Sequence, residues 1–328
     1  MFRIGARPDL CVGWMGAGGR VWEEMRSISA PGAALATGLV LLIYNLAPLT
    51  LGTDGLVARV PDDAFYYLVL CKNFASKGFW TFDGEHWASG FHLLFGYLIA
   101  GVYWLVPGIS LDAIYTLVVI LNTALVAAAV YLLARVNESL GIAAGNFGLV
   151  LVALSSVGLR LPGFPMEACL VIVFSAAAFY LVALGSAQVR WAPLLAVAVG
   201  VLGVLARTDW GAMPFALLAG ALAHMWWHGA YDRVQLRILA ALCAGAVAGE
   251  VLVAWHTYAF TGGIVQRSAS VKHFWASVQG YTLLPGVARV VELLGPYVIP
   301  RPVMLGILAG LAGFIALRGW LPKLLVNR

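Results

Sequence analysis

The stretch AIYTLVVILNTALVAAAVYLLA, residues 113–134, contains no charged side chain. A helix of ~20 predominantly apolar residues is long enough to cross the hydrocarbon core of a bilayer. No water reaches the backbone in that core, so every N–H and C=O group must bond within the helix. The stretch therefore predicts a membrane-spanning α-helix. It decides the fold class of the whole chain, because similar stretches recur along it.

The chain has 328 residues, of which 62% are hydrophobic and 11% are charged. This composition excludes a water-soluble globular domain for most of the chain. We predict an all-α fold, a polytopic transmembrane helical bundle with about 8–9 apolar segments. By hydropathy these segments lie at 32–52, 90–107, 113–134, 146–160, 165–184, 191–206, 210–228, 236–256 and 303–321.

Basic residues set the expected orientation of the bundle, because cytoplasmic loops are enriched in Lys and Arg. Residues 1–30 carry four arginines without a continuous apolar core, so they predict a cytoplasmic N-terminal leader ahead of a transmembrane domain at 31–328. Basic residues near the C-terminus place that end inside too. Nine crossings would separate the two ends. We therefore expect one segment not to cross, and the short segment 90–107 is the best candidate.

With this topology the polar parts of the chain fall on one face of the membrane. The external loops are expected at about 53–89 and 257–302, together with the connectors around 160–167 and 207–210. The net charge of +5 is scattered through short loops, which excludes a nucleic-acid-binding stripe. The expected location is the cell inner (plasma) membrane, with the polar groups on the extracytoplasmic side.

The cysteines predict no covalent or metal framework. Cys11, Cys71, Cys169 and Cys243 lie far apart and form no CxxC pair. They are expected to be small packing residues.

An acidic pair opens the first external loop in PDDAFYYLVL, residues 61–70. Residues 62–77 predict an amphipathic helix in the outer interface. Its apolar face is predicted to contain Ala64, Phe65, Leu68, Cys71 and Ala75, and its polar face Asp63, Tyr66, Asn73 and Lys77. Acids in a first turn accept free N–H groups and complement the helix dipole, so a structural role alone would explain Asp62 and Asp63.

Further polar residues follow in four places. GFWTFDGEHWASGFH, residues 78–92, adds Asp83, Glu85, His86 and His92 to the same loop; Glu167 starts a helix after a Pro-Gly-Phe-Pro break; Arg207 and Asp209 stand in LARTDW; and Arg267 and Lys272 lie in the outer stretch 258–275. Each has a structural interpretation by itself, as a first-turn acid, a headgroup anchor or a local ion pair. Polar groups clustered against a bilayer usually serve a site.

The order of these elements resembles the GT-C class of integral membrane glycosyltransferases, the polyprenyl-phosphate-sugar-dependent mannosyltransferase and aminoarabinose-transferase-like enzymes. Matching elements are Asp62 and Asp63 with the tyrosines after them, TFDGEHWASGFHLLF, PMEACL at 165–170, Arg207 with Asp209, and SASVK at 268–272. Members are usually longer, so the chain resembles a shortened member. The resemblance implies inverting transfer of a sugar from a polyprenyl-phosphate carrier to a glycan, lipid or protein acceptor on the extracytoplasmic face.

The resemblance also implies roles for residues. The catalytic set is Asp62, Asp63 and Glu167, with Asp62 as general base; the donor phosphate is bound by Lys272, Arg267 and Arg207; and the substrate is lined by Tyr66, His86, His92 and Asp209. No cofactor is certain. Asp62, Asp63 and Glu167 are hard oxygen ligands of the type that Mg²⁺ or Mn²⁺ accepts, so a divalent cation is possible there.

Two other classes of function remain open. A transporter would place ionisable residues within its spans, where Glu250 and Asn122 are the clearly polar residues. An inactive scaffold protein of the same fold is the third possibility.

Overall fold

The structure is a computed structural model. It describes residues 28–142, 145–188, 191–228 and 233–266, with Phe274 and Val278. The chain divides into two compact units, Met1–Gln266 and Arg267–Arg328, and every helix named below belongs to the first. Within the described residues the secondary structure is helical, apart from one isolated β-bridge between Thr81 and Trp87. The predicted all-α class is confirmed.

The described α-helices are α1 (Ala30–Leu46), α2 (Gly52–Val57), α3 (Asp62–Lys77), α4 (Leu93–Leu105), α5 (Leu111–Ser139), α6 (Gly145–Ala153), α7 (Ala168–Gln188), α8 (Ala192–Ala206), α9 (Ala212–His228) and α10 (Arg233–Thr261). Short 3₁₀ turns occupy Ala47–Leu51, Leu161–Gly163 and Thr208–Gly211. Local sequence explains several ends. Ser110 caps α5 by accepting the Ala113 N–H at 3.2 Å. Helix α3 stops at Gly78, which adopts φ 78°, a left-handed conformation that glycine tolerates best.

Three described helices are long and apolar enough to cross a membrane by length and composition: Ala30–Thr50, Leu111–Ser139 and Arg233–Thr261. Shorter apolar helices are Leu93–Leu105, Ala168–Leu184 and Ala192–Ala206. The predicted count of eight or nine spans is therefore not confirmed. Helix α4 has 13 residues, a length of about 20 Å at ~1.5 Å per residue. That falls short of a ~30 Å hydrocarbon core, but α8, with 15 residues, does so too, and which segment does not cross stays a prediction.

The predicted segment 146–160 is wrong in extent. Helix α6 ends at Ala153, and turns follow it. A Cβ atom at Gly158 would lie 2.8 Å from the carbonyl carbon of Ala153, so the chain folds back on itself there. Hydropathy does not register such a turn, because the residues that form it are also small or apolar. The predicted segment 303–321 lies outside the described residues.

Helices α8 and α10 pack with their backbones in close contact. A Cβ atom at Gly200 would lie 2.8 Å from the amide nitrogen of Ala246, and one at Gly249 would lie 2.7 Å from the Cβ of Val204. Glycine at such positions lets two helices approach closely, as is common where no hydrophobic driving force acts between helices in lipid. The matched order of contacts shows that α8 and α10 run parallel, with Arg207 following the C-terminal end of α8.

Helices α1 and α5 are antiparallel, which defines the two ends of the bundle. At one end the Ala30 N–H donates to Glu138 Oε1 at 2.7 Å. At the other, the Tyr115 hydroxyl donates to the Asn45 carbonyl at 3.2 Å. We call the end with Asn45 and Tyr115 the site end. The Pro-Gly-Phe-Pro break before α7 is bound from this part of α5, because Asn122 Nδ2 donates to the carbonyls of Pro162 and Phe164 at 3.3 and 3.0 Å.

Helix α3 has the predicted bounds, but its buried face differs from the prediction. The residues that it buries are Ala64, Tyr67, Leu68, Leu70 and Cys71, whereas Phe65 and Ala75 are half-buried. The Tyr67 ring packs edge-on against Phe95 of α4 with centroids 5.6 Å apart. Tyr66 is half-buried and stacks on Phe82 at 5.0 Å. Tyr67 therefore joins the buried face, and the part-buried Phe65 also packs against the core.

The three described cysteines, Cys71, Cys169 and Cys243, are free and buried, as expected for packing residues. Burial raises the pKa of the Cys71 thiol to about 12. Cys11 lies outside the described residues.

Candidate active site

Glu167 is the central residue of a polar cluster at the site end. It stands directly before α7, and it is only 2% exposed. Carboxylates are almost never buried this deeply without partners, because loss of hydration penalises the charge. Its Oε1 atom lies 3.4 Å from His92 Nε2 and 3.5 Å from Arg207 Nη1. Its Oε2 atom is buried and accepts no hydrogen bond from the described residues.

Tyr67 is the second buried residue of this cluster. Its hydroxyl accepts the His92 N–H at 3.1 Å, which links α3 to the start of α4. Burial holds the pKa of Tyr67 well above its ordinary value, and the neighbouring charge of Glu167 raises that pKa further. The phenol is therefore neutral and available as a hydrogen-bond donor towards the carboxylate.

Arg207 joins Glu167 to a second acid. Its Nε donates to Asp209 Oδ1 at 2.7 Å, and its side chain is 45% exposed. The hydrogen bond to Asp209 raises the pKa of Arg207. The local pairing of Arg207 with Asp209 was one interpretation of LARTDW, and it is observed. The guanidinium also reaches Glu167, so it spans from a buried carboxylate to an exposed one.

A buried tryptophan fixes the turn that carries Arg207. Trp210 Nε1 donates to Ser175 Oγ of α7 at 3.0 Å. Its ring lies against Gly203 in α8, where a Cβ atom would lie 2.6 Å from the ring carbon Cδ2. This close packing needs glycine. Because Trp210 is only three residues from Arg207, its anchoring positions the guanidinium beside Glu167.

The stretch 78–92 folds as a loop, and Asp83 closes the turn within it. Asp83 Oδ1 accepts from the Thr81 hydroxyl at 3.1 Å and from the N–H groups of Glu85 and His86 at 2.9 and 2.8 Å. The two backbone N–H groups hold the pKa of Asp83 well below its ordinary value. Its Oδ2 contacts His86 Nδ1 at 2.8 Å. The polar residues of this motif thus have a local structural role.

The loop is also tied to α3, and it delivers His92. Asn73 Nδ2 donates to the carbonyls of Thr81 and Phe82 at 3.0 and 3.1 Å, and Lys77 Nζ donates to the Gly84 carbonyl at 3.3 Å. In the described contacts His86 pairs with Asp83 and does not reach Glu167. His92, at the other end of the loop, does.

Asp62 and Asp63 occupy the first turn of α3, as predicted, and both are exposed. Asp62 Oδ1 accepts the Asp63 N–H at 2.9 Å. Residues four apart on a helix are neighbours, with ≈ 5–6 Å between Cβ atoms. Asp63 is therefore the member of the pair on the Tyr67 side, whereas Asp62 projects over Tyr66.

The predicted site residues are thus brought together in part. Glu167, His92, Arg207 and Asp209 form one contiguous cluster, and Tyr67 belongs to it although it was not among the predicted site residues. Its sequence signals were its place among the tyrosines that follow the acidic pair in the resemblance and its position four residues after Asp63. Tyr66 packs on the loop instead. Arg267 and Lys272 lie outside the described residues, so their predicted contact with a phosphate stays a prediction.

The carboxylates do not converge on a cation. Among the described residues no group of three or more His, Cys, Asp or Glu side chains is arranged to hold a metal ion. Glu167 has one unpartnered oxygen, whereas the acidic pair is at the exposed start of α3. A role for Mg²⁺ or Mn²⁺ remains an expectation from the residue types alone.

No protein-family model, curated protein or solved structure gives a significant match to this chain. The functional conclusion therefore rests on the residues of the chain itself.

Proposed function

We propose that this protein is a membrane glycosyltransferase that moves a sugar from a polyprenyl-phosphate carrier to an acceptor hydroxyl. The observation that carries the proposal is the buried Glu167 carboxylate with one unpartnered oxygen, next to Tyr67, His92 and Arg207. A buried carboxylate oxygen that can accept a hydrogen bond, with the Arg207 guanidinium beside it, is suited to bind a sugar hydroxyl close to an anionic leaving group.

In the proposed reaction the acceptor oxygen attacks the anomeric carbon of the sugar as the bond from that carbon to the phosphate oxygen breaks. The phosphate leaves with the bonding electron pair, and the acceptor proton passes to a carboxylate of the acidic pair. A positioned general base contributes ~10²–10⁴ to the rate. A single displacement of this kind inverts the anomeric carbon, as in glycosidases that use carboxyl groups on opposite faces.

Arg207 is the described cation for the developing phosphate charge. Asp209 engages Nε of its guanidinium and Glu167 lies 3.5 Å from Nη1, while the half-exposed side chain leaves the guanidinium open to an anion from the solvent side. Fixed positive charge accelerates the reaction when it binds the transition state more tightly than the ground state. Lys272 and Arg267 are the further cations that the resemblance implies.

Two members of the acidic pair compete for the role of base. The resemblance selects Asp62, whereas helix geometry brings Asp63 to the Tyr67 side. Asp62→Asn and Asp63→Asn separate these alternatives. Asp112→Asn is the matched control, because Asp112 is also an exposed acid in a helix first turn, that of α5.

The test is transfer of labelled sugar by the purified full chain in lipid, supplied with polyprenyl-phosphate sugars and with lipid, glycan or peptide acceptors. We expect transfer by the wild type and by Asp112→Asn, and a loss of ~10² or more in one of the two acidic-pair variants. Sugar flux across vesicles without transfer would identify a transporter. Neither flux nor transfer, with binding of a partner protein retained, would identify a scaffold.

A further inference from the structure

A second polar feature lies at the site end, and no residue of the Glu167 cluster belongs to it. A cavity of about 250 Å³ opens between the end of α1, the connection before α3, the start of α5 and the break before α7. Its polar wall is formed by Arg59, Arg160, Tyr44, Asn45 and Tyr115. Ligand pockets for drug-sized molecules measure ≈ 300–1,000 Å³, so this cavity suits a single small group.

The charge of this cavity is not balanced within the described part of the chain. Two arginines line it, and no acid does. The described ion pairs of arginine are those of Arg135 with Glu138 and of Arg207 with its two acids, and neither Arg59 nor Arg160 forms one with a described residue. Both arginine residues are exposed, so solvent can reach their side chains, and an anion bound between the two guanidinium groups would offset their mutual repulsion.

The walls are fixed by hydrogen bonds, so the cavity is preformed. Asn45 Nδ2 donates to the main-chain carbonyls of Leu41 and Leu159 at 2.8 Å each, and the main-chain carbonyl of Asn45 accepts from the Tyr115 hydroxyl. These bonds tie α1 to α5 and to the segment after α6. A Cβ atom at Gly163 would lie 2.5 Å from Asn45 Oδ1, so glycine is needed where the break approaches α1.

The position of Arg59 is also restrained. Its guanidinium carbon lies 6.0 Å from the centre of the Tyr44 ring, within the range of a cation–π contact. The planar fork of a guanidinium matches two oxygens of a phosphate, which a spherical ammonium group cannot do. Ile43, beside the cavity on α1, is strongly exposed, as a lipid-facing residue would be.

We propose that Arg59 and Arg160 bind a phosphate group in this cavity, either the headgroup of a membrane lipid or a soluble phosphate. The lining of the cavity selects a phosphate group. Because the cavity lies at the end of the apolar helix α1, both a lipid headgroup and a soluble phosphate can reach it. The site does not depend on the proposed glycosyl transfer, because it is defined by other residues and is tested by binding.

The experiment measures binding to the purified full chain in a neutral, phosphate-free detergent. The probes are inorganic phosphate, dioctanoyl phosphatidic acid and a short-chain polyprenyl phosphate, with dioctanoyl glycerol as the uncharged comparison, all at constant ionic strength. Native mass spectrometry counts bound molecules, and the shift in melting temperature gives the concentration dependence. Saturable binding of inorganic phosphate would identify a soluble ligand, and binding restricted to one lipid would identify a headgroup.

Arg59→Gln and Arg160→Gln are each expected to weaken binding by tenfold or more, because each removes a charge-assisted hydrogen bond to the phosphate. Arg59→Lys and Arg160→Lys retain the charge and are expected to lose less. Arg135→Gln, at the opposite end of the bundle, should bind as the wild type does. Circular dichroism without ligand establishes that each variant is folded. No saturable binding of any phosphate probe, or equal binding by Arg135→Gln and the two cavity variants, would overturn the proposal.

Discussion

Gly203→Ala should destabilise the protein, although alanine is the better helix former. The added Cβ would lie 2.6 Å from Cδ2 of Trp210, closer than carbon atoms pack. Trp210 would have to move, and its hydrogen bond to Ser175 would be strained or lost. Overpacking costs about 1–3 kcal/mol and the hydrogen bond about 1 kcal/mol, whereas alanine returns about 1 kcal/mol of helix propensity. The expected net loss is about 1–3 kcal/mol in the free energy of unfolding.

Gly220→Ala is the matched control for this substitution. Gly220 lies within α9, and a Cβ atom there would meet nothing within 4 Å. Reversible unfolding of both variants in mixed micelles is followed by far-ultraviolet circular dichroism. Gly220→Ala should be neutral or stabilising, whereas Gly203→Ala should be destabilising.

A double-mutant cycle with Trp210→Ala identifies the cause. Removal of the indole removes the steric clash, so Gly203→Ala should become neutral or stabilising in the Trp210→Ala background. The reasoning would be refuted if Gly203→Ala and Gly220→Ala had equal effects in the wild type, or if the cost of Gly203→Ala were unchanged without the indole.

The other expectations concern Tyr67 and the loop. Tyr67→Phe removes the hydroxyl that accepts the His92 N–H and should cost about 1–3 kcal/mol in the free energy of unfolding. Tyr66→Phe keeps the ring that stacks on Phe82 and should be near neutral. Equal melting temperatures for the two variants would contradict the structural role given to the Tyr67 hydroxyl. Asp83→Ala should open residues 78–92 to limited proteolysis, and Glu85→Ala, which retains the Asp83 contacts, should not. The pKa of Asp83 is lowered in the folded chain. The contribution of Asp83 to the stability of the loop is therefore present above the ordinary carboxylate pKa and is lost as the pH falls through the lowered value. In the wild type the loop should stay resistant to protease at pH values below about 4.

The sequence predicted the helices best where their ends are encoded locally. Helix α3 has the predicted bounds because Pro61, the first-turn acids and Gly78 act on their immediate neighbours. The predicted extent of the segment that contains α6 was wrong, because hydropathy averages over a window and does not register the turn around Gly158. The burial of Tyr67 could not be read from polarity, because it depends on contacts with Phe95 and His92, which lie well along the chain.

The resemblance nominated candidate site residues, but it could not give their arrangement. Glu167, His92 and Arg207 come from three separate helix ends, and only the packing of α3, α4, α7 and α8 brings them together. The loop motif shows the opposite case. Asp83 and His86 satisfy each other locally, so a polar cluster in sequence corresponded to a structural turn. The Arg59 and Arg160 cavity joins residues far apart in the chain, and no local pattern announces it.

Sugar transfer by Glu167→Gln tests the central claim most directly. The substitution keeps the shape of the side chain and removes the buried charge opposite Arg207. Glu138→Gln is the control, because it replaces a carboxylate at the other end of the bundle. With labelled polyprenyl-phosphate sugar as donor, we expect Glu138→Gln to keep the wild-type rate and Glu167→Gln to fall by ~10² or more while it remains folded. Equal transfer rates for the wild type and folded Glu167→Gln would contradict the assignment of this cluster as the active site.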